Sequence, residues 1–170
     1  MKKILVILSV LCSSVAAFSQ SQFEVLPDKD GGKILKGILP VDLLEKDPSF
    51  KWFAENQKGY TPQANAVAGL KRQADSIQLL VFMGTWCEDS HVVIPRLYSL
   101  MQQTGFSRDR LTIVGVDRDK KTGGHLTEAL NITNVPTILV MKNGKELGRV
   151  VEYGKDGYFD KDLGQILTAQ

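Results

Sequence analysis

Five consecutive apolar residues, Leu79-Leu80-Val81-Phe82-Met83, run without a break into Gly84-Thr85-Trp86-Cys87, and this junction constrains the fold more than any other stretch. An unbroken apolar run of that length suits a strand buried on both faces. The period then changes. In "EDSHVVIPRLYSLMQQTG", Val93, Leu97 and Leu100 fall at i, i+4 and i+7, joined by Ile94 and Met101, so one helical face is apolar and Gly105 supplies a stop. Cys87 therefore sits where a buried strand hands over to the N-terminus of a helix.

The alternation continues downstream. "RLTIVGVD" reads as a second buried strand, "DRDKKTGG" as a solvated loop, "LTEALNIT" as a short helix and "PTILVMK" as a third core strand. Asn143-Gly144 is a two-residue hairpin turn into "KELGRVVEY", and Leu163, Ile166 and Leu167 mark a closing helix. Upstream, "FEVLPDKDGGKILKGIL" suits a hairpin around Asp30-Gly31-Gly32. Two helix starts follow, at Asp47-Pro48 with Gly59 as a stop and at Thr61-Pro62. The order predicts an α/β fold with a mixed sheet, parallel first and then antiparallel, helices on both faces, and an N-terminal extension of hairpin and helix. The expected boundaries are a signal peptide over 1–19, the extension over 20–61 and the main domain over 62–170.

The first residues, "MKKILVILSVLCSSVAAFSQSQ", carry two lysines, an apolar run from Ile4 to Leu11 and small residues up to Ser19. This is the pattern of a secretory signal cut near Ser19, with a core well short of the roughly 20 residues that span a bilayer. The mature chain is thus expected to be exported, periplasmic or extracellular, with no transmembrane segment. A competing lipoprotein reading would lipidate Cys12, but Leu11 is bulky where such sites want a small residue. Cleavage takes two of the 21 basic residues, leaving 19 against 19 acidic. A neutral mature chain gives no bulk-charge reason to bind nucleic acid or an acidic membrane. Cleavage also removes Cys12, so Cys87 is left as the only cysteine and no internal disulfide can form. His91 and His125, with that one cysteine, match no metal-ligand spacing, and neither metal nor cofactor is expected.

Taken in order and spacing, "LLVFMG", then "TWC", then Pro95 eight residues after Cys87, then "NVPT" before a strand, then Asn143-Gly144, the chain resembles the thioredoxin fold over roughly residues 62 to 169. The resemblance implies a thioredoxin-like sheet and a nucleophilic thiol at Cys87 presented after Trp86. It also implies a cis-proline at Pro136, whose neighbour Val135 pairs through its backbone with an extended substrate segment. The family motif is Cys-x-x-Cys, whereas this chain reads Cys87-Glu88-Asp89-Ser90, a CxxS variant. The family also buries a carboxylate six residues before the nucleophile, where this chain has Val81.

Cys87 at a helix N-terminus lies where unpaired N–H groups and the macrodipole favour a thiolate; a buried structural cysteine is the competing reading. Glu88 and Asp89 suit a helix start, where Asp or Ser caps orphan N–H groups, and they also oppose ionisation of the neighbouring thiol. Ser90 can donate to a thiolate but cannot resolve a mixed disulfide. His91, at i+4 from Cys87, either shares its face or is an exposed first-turn histidine, and His125 reads as a surface residue.

The expected function is single-thiol thiol–disulfide exchange through Cys87, with protein or low-molecular-weight thiols and disulfides as partners and an external thiol releasing the mixed disulfide. The alternative is a non-catalytic binding module using the Trp86/Val135/Pro136 groove. A peroxide-reactive thiol is a third idea, with no peroxidase pattern of Arg or Thr behind it.

Overall fold

The structure, a computed structural model, describes residues 22–169. The expected export signal and Cys12 lie outside the described residues. Strands β1 (Phe23–Pro27), β2 (Lys33–Leu39), β3 (Gln78–Met83), β4 (Leu111–Gly115), β5 (Thr137–Lys142) and β6 (Lys145–Val151) form one sheet in the order β1-β2-β4-β3-β5-β6. The apolar strand β3 is central. It pairs parallel with β4 and antiparallel with β5, which pairs antiparallel with β6. The β5–β6 turn places both Asn143 and Gly144 at positive φ, as two-residue hairpins require.

Among the described residues, six α-helices dress this sheet: α1 (Leu43–Lys46), α2 (Trp52–Gln57), α3 (Ala64–Gln73), α4 (Glu88–Thr104), α5 (Leu126–Ala129) and α6 (Phe159–Thr168). Because side chains alternate along a strand, β3 divides its bulk between two cores. Leu79, Val81 and Met83 join a large core with Leu70 of α3, Ile94 and Leu97 of α4, and Leu163 and Leu167 of α6. Phe82 faces the other way, into a smaller core with Val114, Val116, Ile132, Val135 and Leu139, against which Leu126 of α5 packs. No helix among the described residues is long and apolar enough to cross a membrane.

The N-terminal extension contributes its hairpin to the main sheet. There β2 runs antiparallel along the free edge of β4, from Gly37 opposite Gly115 to Leu39 opposite Ile113. Gly115 permits the approach: a Cβ there would stand 2.2 Å from the Leu35 carbonyl oxygen.

The helix expected from Asp47-Pro48 starts late, and a separate single-turn helix, α1, precedes Asp47. Asp47 accepts hydrogen bonds from the Ser49 N–H (3.0 Å) and hydroxyl (2.6 Å), a local turn that competes with helix, so α2 starts only at Trp52. Likewise Pro62 does not open α3. The Gln63 N–H is held by Asp160 Oδ2 at 2.8 Å, which keeps Gln63 extended as the N-cap of a helix starting at Ala64. Phe53 of α2 meets Tyr98 of α4 edge-on, with ring centroids 5.0 Å apart, so the extension rests on the helix that follows Cys87.

Asp47 also makes the fold acid-sensitive. Hydrogen bonds from the Lys33 ammonium, then from the hydroxyl and N–H of Ser49, hold its carboxyl down to about 2 against an ordinary 3.8. A carboxyl depressed by folding contributes stability above its unfolded value and loses it as pH falls through the folded one. Between about pH 4 and pH 2 the urea midpoint of the wild type is expected to drop. Asp47→Asn should be less stable at pH 7 and lose less over that window. An unchanged acid slope in the variant would contradict the assignment.

Candidate functional site

Cys87 is the N-cap of α4, a helix of 17 residues, with extended backbone (φ −98, ψ 120) and no side-chain cap. Its N–H closes a turn onto the Gly84 carbonyl (3.0 Å), and its own carbonyl accepts the first helical bond from the His91 N–H (3.1 Å). The thiol is partly buried and donates to the Val135 carbonyl at 3.2 Å; the Val135–Pro136 peptide is cis. Cys87, Val135 and Pro136 therefore meet although 48 residues separate the first two.

The loop before the cysteine is held from three sides. Trp86 donates through Nε1 to the Val116 carbonyl (2.9 Å) and lies against Gly84, where a Cβ would stand 2.6 Å from the indole. The Arg118 guanidinium covers the same ring at 5.4 Å and binds Asp28 of the hairpin loop through two nitrogens (2.7 and 2.9 Å). Thr85 donates to the Lys33 carbonyl (2.9 Å) and accepts from the Leu35 N–H (3.1 Å). The N-terminal hairpin thus anchors the loop that presents the thiol, a role that segment-by-segment periodicity does not reveal.

Ser90 is fully buried, and its hydroxyl accepts from the Gly84 N–H at 3.2 Å. It thereby ties the first turn of α4 back to the end of β3 instead of capping the helix. Glu88 projects into solvent. Asp89 is half-buried, and burial first, then the nearby charge of Asp89, push the Tyr153 phenol above its usual range, with Arg96 opposing. Val81 is fully buried in β3, so no carboxylate lies there.

His91 follows neither sequence reading. Its ring is half-buried, stacked on Trp52 of α2 (centroids 4.3 Å, planes 16° apart), and its Nε2 is 2.8 Å from the Thr85 carbonyl. A carbonyl only accepts, so Nε2 carries the proton. The ring braces the loop; it is not an exposed first-turn side chain. His125 is exposed, beside Glu128 at 4.0 Å. Tyr153, Trp52, Arg96 and Arg118 are site residues that sequence reasoning missed; only Arg118, in a loop already marked as charged, left any trace.

Such a site can form a mixed disulfide at one sulfur, and among the described residues there is no second cysteine to resolve it. A thiol at a strand-to-helix junction opposite a cis-proline defines a class of redox fold, and comparison with known proteins gives the class its name. The Thioredoxin family model matches residues 63–163, and the chain belongs to the thioredoxin family. It is 32% identical over 97 residues to Thioredoxin X, chloroplastic, of Arabidopsis thaliana, covering 54% of this chain and 50% of that protein. The chain therefore spans about half the length of this relative. To Thioredoxin of Echinococcus granulosus it is 27% identical over 85 residues, or 50% of this chain and 74% of that one. A solved Pseudomonas aeruginosa protein of unknown function shares the fold with a TM-score of 0.54 at 18% identity, covering 74% of this chain and 87% of its own. Members of the family act on protein substrates, and the site is consistent with thiol–disulfide exchange.

Proposed function

We propose that this protein is an exported thiol–disulfide exchanger that works through Cys87 alone. The observation that carries the reading is the partly exposed Cys87 sulfur at the N-terminus of α4, 3.2 Å from the Val135 carbonyl, with Ser90 where a resolving thiol would stand. Export is supported by the N-terminal Lys2-Lys3, apolar run and small residues. In the first step the Cys87 thiolate attacks one sulfur of a disulfide R–S–S–R′. Cys87–S–S–R forms and R′–S⁻ leaves, taking a proton from water. An external thiolate R″–S⁻ then attacks the R sulfur of the mixed disulfide, releasing R–S–S–R″ and restoring the Cys87 thiolate. One disulfide is consumed and one made, so no net oxidant is needed.

The test is intact mass after incubation with a small disulfide. A single adduct at Cys87, removed by excess thiol, is expected, and a thiol that stays unmodified overturns the reading. Ser90→Cys should add the missing second step. Positions 87 and 90 lie one helical turn apart, so the new thiol can attack the mixed disulfide and leave as an internal disulfide. Insulin reduction with a thiol reductant should rise from near background to a clear multiple of wild type in this variant. No gain would show that the groove, and not the missing sulfur, limits turnover.

The binding-module reading has one observation in its favour. Val81 is buried where the family places a proton-accepting carboxylate, so the site lacks that aid to thiol chemistry.

A further inference from the structure

His91 links the loop before Cys87 to helix α2. Its Nε2 donates to the Thr85 carbonyl at 2.8 Å, while its backbone N–H bonds the Cys87 carbonyl at 3.1 Å, so one residue grips the chain on both sides of Trp86. The helix fixes where the side chain leaves the backbone, but the ring torsion of a histidine is broad. The stack on Trp52, with centroids 4.3 Å apart and planes 16° from parallel, removes that freedom, because turning the ring would drive it into the indole. Trp52 thereby keeps the Nε2–H aimed at Thr85. Trp52 is in turn wedged between Phe50 and Phe53, with centroids 5.6 and 5.9 Å away.

What this pair fixes is the peptide plane between Thr85 and Trp86. Around it, Ser90 takes the Gly84 N–H, Cys87 the Gly84 carbonyl and Val116 the indole N–H of Trp86. If His91 lets go of the Thr85 carbonyl, that plane can rotate, and Cys87, extended at the N-cap, is displaced with it. The sulfur then leaves its 3.2 Å contact with the Val135 carbonyl, the contact that sets it beside Pro136. Exchange needs the attacking sulfur in line with the bond it breaks, and a misplacement of about 1 Å can cost about 100-fold in rate.

We infer that Trp52 and His91 act as one unit of positioning residues for the reaction at Cys87, so that α2 of the N-terminal extension governs how fast the thiol exchanges. The inference rests on the exchange reading above and adds a control to the same site. Both residues act through Thr85 and take no part in bond making. Trp52 lies outside the residues 63–163 that match the family model, so part of the thiol's setting is supplied from beyond the family's core. The residue types fit the roles. A histidine offers a flat face for the indole and a donor at one edge, whereas phenylalanine offers only the face and glutamine only the donor.

The experiment measures the second-order rate of Cys87 with 4,4′-dithiodipyridine, together with Tm. The thiolate attacks one sulfur of the reagent, the mixed disulfide forms, and pyridinethiolate leaves as the coloured thione. His91→Phe keeps a ring for Trp52 and removes the donor, and should slow the reaction about tenfold. Trp52→Leu removes the stack and should slow it by a similar factor, with the double variant no slower than the worse single one. His91→Gln, whose amide N–H lies as many bonds from the backbone as Nε2, should fall between His91→Phe and wild type. Leu100→Ala, fully buried near the far end of α4, should lower Tm at least as much and leave the rate within about twofold. If only one single variant folds, it decides alone. An unchanged rate in it, additive slowing in the double variant, no recovery by glutamine, or equal slowing in Leu100→Ala overturns the positioning role while leaving exchange standing. Loss of folding in both single variants makes the pair structural and overturns it as well. Failure of wild-type Cys87 to react removes the exchange reading itself.

Discussion

Cys87→Ser is expected to abolish covalent adduct formation with every disulfide reagent while leaving the fold in place. The serine hydroxyl can still donate to the Val135 carbonyl, the bond that the thiol makes at 3.2 Å, so stability should change by only about 1 kcal/mol. What disappears is the nucleophilic sulfur, because an alkoxide is not accessible near neutral pH. The same variant separates the two functional readings. An exchanger loses its reductant-sensitive partner with the sulfur. A module that binds through Trp86, Val135 and Pro136 keeps its partner, because those contacts do not depend on the thiol. Intact mass and partner retention, measured side by side on wild type and variant, decide between them, and retention at full strength would count against exchange.

Phe82→Ala carries the largest expected cost in stability, about 3–5 kcal/mol, which lowers Tm by roughly 10 °C in a chain of this size. Phe82 is fully buried in the smaller core, which has few other large side chains to close around the void. Trp86 and Cys87 pack against this same cluster and Val135 belongs to it, so the cavity opens directly beneath the thiol and its carbonyl partner. Loss of stability should therefore be accompanied by a changed reaction rate at Cys87. Leu70→Ala is the control. It removes a fully buried side chain from the large core on the opposite face, at a cost of about 2–5 kcal/mol, and should leave the rate within about twofold. If both variants shift the rate equally, global loosening and not local support accounts for the effect.

Much of the frame was legible in local patterns. The apolar run of β3, the helical spacing of α4 and the Asn143-Gly144 turn are properties of single segments, since backbone periodicity and positive φ are set within a few residues. Cys87 at the strand-to-helix junction follows from the same signals. Asp47 shows where such reading stops, for its turn with Ser49 overrides the helix start suggested by Asp47-Pro48. The two bonds that redirect the chain there depend on side-chain geometry, which a composition signal does not carry.

His91 makes the same point at the site. Whether it faced Cys87 or solvent was open from position alone, and it does neither, because α2 brings Trp52 onto it. The sequence by itself marked the core strands and the long helix α4, the thiol of Cys87 at their junction and the serine three residues beyond it. Only the tertiary structure decided that the N-terminal hairpin joins β4 and holds Thr85, that Ser90 bonds back to Gly84, and that His91 stacks on Trp52. The reason is physical: a segment's periodicity dictates its conformation, but its partners are chosen by which edges and faces remain uncovered once every segment has formed.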